Sequence, residues 1–77
     1  MQNIKFEILN SEIVEINERN FIEIAKKKAI SSDIEREFFS ISRGYLNQKG
    51  ERKFKNSVSI PPEAIEKVLL ALDRIKS

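Results

Sequence analysis

The chain has 77 residues, with 14 lysines and arginines against 12 acidic residues, a formal net charge of +2, and neither cysteine nor histidine. A domain of this size buries only about 60% of the surface its unfolded chain exposes, and this composition excludes the disulfides and the usual zinc sites that compensate in small folds, so self-association is expected. The commonest general base, the thiol nucleophile and the usual zinc ligands are also missing, so a non-enzymatic protein with no catalytic residue, metal or cofactor is expected.

Taken in order, even positions 4–16 read Ile4, Phe6, Ile8, Asn10, Glu12, Val14, Ile16. That period of two predicts one long strand, bent or bulged near Asn10 and Ser11, with its apolar face inward. Asn17 to Asn20 form a polar turn, and Phe21 to Ile24 open a second strand, so the two make a hairpin. Lys26, Lys27 and Lys28 continue that run as a strand end, since charge on both faces suits a sheet rim or an edge. Ser31, Ser32 and Asp33 read as a loop in preference to a short helical turn.

Glu37 to Tyr45 alternates Phe39 and Ile41 against Phe38, Ser40 and Ser42, and its β-branched and aromatic content predicts a strand. The same parity would put Arg43 and Tyr45 beside Phe39 and Ile41, so the strand is expected to leave the core or to bulge at Gly44. Asn47 to Gly50 is a turn in which Gly50 supplies the positive φ. Arg52 to Ile60 follows as a strand with Phe54, Val58 and Ile60 on one side and Lys53, Lys55, Ser57 and Ser59 on the other. Pro61 and Pro62 end it, and Pro62 with Glu63 suits a helix start. Ile65, Val68, Leu69, Leu72 and Ile75 then form an apolar stripe, widened by Leu70 and Ala71. The extra width assigns Leu69, Leu70 and Leu72 to a dimer contact. Residues 1–77 therefore read as a single domain with a core that includes Phe39, Ile41, Phe54, Val58 and Ile60.

Charge is uneven along the chain. Residues 26–55 carry nine cations against four anions, a net +5, while residues 1–25 carry two against five, a net −3. A block this basic, with Tyr45 and Phe54 interleaved, is the composition of a nucleic-acid-binding surface. The candidate contacts are Tyr45, Lys53, Lys55, Arg43, Arg52, Lys49, Lys26 and Lys28. No apolar run approaches the ~20 residues of a membrane span, and no cationic-then-apolar signal pattern opens the chain. A soluble protein with no membrane partner, cytoplasmic or nucleoid-associated, is expected.

The segment from Ile41 to Glu63 resembles the positive cofactor four family of single-stranded-DNA-binding transcriptional coactivators. Ile41, Tyr45, Gly50-Glu51-Arg52-Lys53, Lys55, Val58-Ser59-Ile60 and Pro62-Glu63 carry the likeness, and Ile4 to Leu9 is similar to the first strand of short bacterial members. The resemblance implies an α+β fold: a curved four-stranded antiparallel sheet followed by one C-terminal helix, β-β-β-β-α, as a homodimer. It also implies sequence-tolerant binding of single-stranded DNA or RNA in transcription, replication or repair, with Tyr45 stacking on bases and Lys53 and Lys55 meeting phosphates. Two departures stand out: the family usually has tryptophan where Tyr45 stands, and Phe54 to Ser57 replaces a basic Pro-Gly segment. Two alternatives share the predicted elements, a Pur-type single-strand-binding module and a protein–protein interaction module with solvated lysines.

Overall fold

The computed structural model describes residues 3–76, which form β1 (Lys5–Glu15), β2 (Asn20–Ile30), β3 (Glu35–Leu46), β4 (Arg52–Ile60) and α1 (Pro62–Lys76). The four strands make one open antiparallel sheet in sequence order, so the β-β-β-β-α arrangement is as expected. Side-chain oxygens close its turns. Asn17 Oδ1 accepts from the backbone N–H groups of Arg19 and Asn20, both at 3.0 Å. Ser31 Oγ accepts from the Ile34 N–H at 3.3 Å, making the expected loop. Asn47 Oδ1 accepts from the Lys49 and Glu51 N–H groups at 2.9 Å each, and Gly50 sits at φ 78° as its turn requires.

The register corrects three expectations. In β1 the pairing skips from Ile8 to Asn10, so Leu9 is the extra residue of a bulge. The bulge moves the even positions from one face to the other, and Phe6 and Ile8 no longer share a face with Val14. Second, Lys26, Lys27 and Lys28 do not end a strand at a rim. They lie within β2, an inner strand paired on both sides, and their long stems let the ammonium groups reach solvent. Third, in β4 the pairing passes from Arg43–Asn56 to Gly44–Phe54, which leaves Lys55 as the bulged residue. The irregularity falls beside Gly44 as anticipated, but the extra residue is on β4. Phe54 is consequently on the opposite face from Val58 and Ile60.

Gly44 is needed for a separate reason. The Phe21 ring lies over it, and a Cβ there would stand 2.5 Å from Phe21 Cζ and 2.7 Å from the Lys53 carbonyl oxygen. Phe21 in turn meets Phe54 edge-on, with ring centroids 5.6 Å apart.

The core is small. Its buried apolar residues are Phe21, Ala25 and Ile60, with Ser40 and Ser42 buried beside them. Of the five expected core residues only Ile60 is buried; Phe39 and Ile41 are half-buried, while Phe54 and Val58 remain 52% and 58% exposed. α1 keeps its apolar stripe but has no buried residue and packs only lightly, against β3. Among the described residues no helix is long and apolar enough to cross a membrane.

The exposed area puts a magnitude on this deficit. A monomer of 9.0 kDa is expected to expose about 4,900 Å², whereas this chain exposes 6586 Å². The excess, roughly 1,700 Å², is what one subunit of an obligate dimer hides against its partner. The molecule is a thin plate of 42 × 38 × 18 Å.

Candidate nucleic-acid interface

The two bulges sort the basic residues onto faces. Opposed residues of an antiparallel pair share a face, so Asn20, Tyr45 and Lys53 form one row across β2, β3 and β4, and Ile22, Arg43 and Asn56 form the next. None of these six is a carboxylate. The Lys55 bulge adds a further cation to the same side, with Lys55 Nζ 5.3 Å from the centre of the Tyr45 ring. Arg43, Lys53 and Lys55 are exposed and Tyr45 is half-buried, so an aromatic face sits among three cations that face no carboxylate across the strands.

Two other predicted contacts belong to the same end of the sheet. Lys49 is exposed on the β3–β4 turn. Arg52 is on the reverse face, where its guanidinium carbon lies 5.7 Å from the centre of the Phe21 ring. Lys26 and Lys28 share the Tyr45 face but stand four to six residues along the strands from Arg43, about 13–20 Å at strand rise. Each has a carboxylate: Lys26 Nζ is 3.3 Å from Glu37 and Lys28 Nζ is 3.6 Å from Glu35. The fold thus gathers six of the eight predicted residues at the β3–β4 hairpin and sets the lysine pair apart.

Asn20 and Asn56 were not anticipated. They flank Tyr45 and Arg43 on the same face and bring amide donors and acceptors to it. Alternation alone sets Asn56 on the side of Val58 and Ile60; it is the extra residue at Lys55 that brings Lys53 to that side as well.

The reverse face has a different character. Ser40 opposes Ser59 and Ser42 opposes Ser57, and Ser42 and Ser57 share a hydrogen bond of 3.0 Å. Edge-on aromatic pairs bracket this block, Phe6 with Phe38 and Phe21 with Phe54. Ser40 Oγ is buried without a partner. Among the described residues no group of three or more acidic side chains gathers as a metal site.

No protein-family model, no curated protein and no solved structure matches this chain.

Proposed function

We propose that the protein is a homodimer that binds single-stranded nucleic acid, DNA or RNA, without strong sequence preference. The observation that carries this reading is the Tyr45 ring set among Arg43, Lys53 and Lys55 with no carboxylate across from any of them. Stacking on Tyr45 requires an unpaired base, which favours single strands over duplex. In the free protein Lys55 covers the ring. An exposed contact of this kind contributes about 0.5–1 kcal/mol, less than the ~1–3 kcal/mol of a stacked base, so a base displaces the lysine and leaves it free for a phosphate. Lys49 and Arg52 extend the cationic path around the hairpin. Phosphate contacts give affinity without sequence information, which accounts for the tolerance.

The homodimer rests on the excess exposed area, with Leu69, Leu70 and Leu72 at 53%, 55% and 56% exposure belonging to the contact. The resemblance to the positive cofactor four family points the same way, and a cytoplasmic or nucleoid location is consistent with this role. A protein-interaction module is the second reading, favoured by that same exposed stripe on α1. A low-salt binding panel of labelled single-stranded DNA, duplex DNA and RNA separates them. Single strands binding better than duplex supports the first reading; no binding to any of the three leaves the second.

A further inference from the structure

The open sheet has two free edges, and they carry opposite charge. β1 and β4 are its outer strands, and every residue of β1 except Ile13, and of β4 except Ile60, is exposed. β1 carries three carboxylates, Glu7, Glu12 and Glu15, against Lys5, whereas β4 carries Arg52, Lys53 and Lys55 and no carboxylate. Charge on an edge strand ordinarily keeps it from pairing with a copy of itself. Here β1 against β1, or β4 against β4, would set like charges together. Only the mixed pair, β1 with β4, is complementary.

We infer that β1 of one copy of this chain pairs antiparallel with β4 of the next, extending the sheet into an open head-to-tail array. Direction permits it, since successive strands reverse, and β1 and β4 run opposite ways in the sheet. Lengths match as well. The pairing rows include Asn10–Lys26–Phe39–Ile60 and Val14–Ile22–Arg43–Asn56. Beyond the first of these rows β1 has its Leu9 bulge and β4 meets Pro61, and each feature stops a ladder. Beyond the second, β4 has its Lys55 bulge. The regular stretches Asn10 to Val14 and Asn56 to Ile60 therefore lie at the same level on opposite edges. Continuing the rows into a next copy sets its Val14 diagonal to Val58, side chains that are 48% and 58% exposed in the single chain. On the reverse face the Glu15 of that copy arrives opposite Phe54 and diagonal to Arg52, so a carboxylate meets a guanidinium. A head-to-tail contact along the rows does not close on itself, so the array has no fixed size and coils with the twist of the sheet. Every Tyr45 face then looks the same way, one per four strand spacings, about 19 Å. A row of binding sites along one side is a consequence that rests on the proposed function; the array itself does not.

The test uses the protein without nucleic acid, so its outcome is separate from the binding reading. Sedimentation at low salt, from micromolar to millimolar concentration, is expected to give a mass that keeps rising beyond a dimer, and added salt reverses the rise. A mass that stops at a monomer or a dimer throughout overturns the array. Arg52→Glu is expected to stop the growth, and Glu15→Arg together with Arg52→Glu to restore it. Growth untouched by the single change, or no recovery in the double variant, contradicts the charge-matched pairing. Cysteines then locate the contact, because the chain has none of its own. Val14→Cys and Asn56→Cys in one chain stand three strand spacings apart, about 14 Å, beyond the reach of a disulfide. Oxidation is expected to give a ladder of covalent multimers from this double variant and monomers from either single variant. Dimers from a single variant, or monomers from the double, overturn the β1–β4 contact.

Discussion

The two ends of the Tyr45 face are built from similar parts and arrive at different surfaces. At the β2–β3 end, Lys26 Nζ lies 6.0 Å from the centre of the Phe39 ring; at the β3–β4 end, Lys55 Nζ lies 5.3 Å from the centre of the Tyr45 ring. Each end has several cations. What separates them is the strand opposite: Glu35 and Glu37 reach Lys28 and Lys26, whereas Asn20, Asn56 and Ile22 stand beside Tyr45 and Arg43. A cation that already has a carboxylate must give up that pair to meet a phosphate. The difference teaches that the arrangement of acidic residues, more than the count of basic ones, decides where a polyanion sits.

The largest expected effect comes from collapsing the β3–β4 end. Gly44→Val drives side-chain carbons into the Phe21 ring and the Lys53 carbonyl. Overpacking of this kind costs typically ~1–3 kcal/mol, and because the carbonyl belongs to the backbone the upper part of that range is expected, read as a lowered urea midpoint. Next, removing the contacts without disturbing the backbone, Tyr45→Ala with Lys53→Ala, weakens oligonucleotide binding ~10-fold or more in a fluorescence titration. Capture of a protein partner by α1 would be untouched by that pair.

Making the two ends alike is a gentler change. Glu35→Gln with Glu37→Gln frees Lys26 and Lys28, and binding of a single-stranded oligonucleotide at low salt rises by about twofold to fivefold, in proportion to one or two added phosphate contacts. Stability changes little, because exposed pairs contribute ~0–1 kcal/mol. The smallest effect is expected on the reverse face: Ser40→Ala removes a buried hydroxyl that has no partner, so the thermal midpoint holds or rises. A clear fall would show that Ser40 makes a hydrogen bond in solution.

Much of this architecture was legible in the residues. Alternation marked the strands, Asn47 to Gly50 marked the turn with its positive φ, and Pro62-Glu63 marked the helix start, because each signal is local. Faces were not legible beyond a bulge, since one extra residue reverses the parity of all that follows. Leu9 and Lys55 each do this, which misplaced Val14, Phe54 and Lys53. The position of Lys26 and Lys28 depended on a pairing with Glu35 and Glu37 that only the register supplies. The core was overestimated for a related reason: Val58 is spaced for burial, yet within one chain it remains 58% exposed.

The central claim is that single strands are held at the β3–β4 end and not at the paired lysines. The salt dependence of binding tests it most directly, because each phosphate contact contributes a slope of about −0.7 for single strands. Arg43, Lys53 and Lys55 in one protomer are predicted to contribute about −2 to the slope of a log–log plot of affinity against salt. Replacing those three by alanine should reduce its magnitude by about 2, leaving only what Lys49 and Arg52 contribute, while Lys26→Ala with Lys28→Ala leaves it unchanged. A slope unchanged by the triple replacement, or one that falls with the lysine pair, would contradict the account.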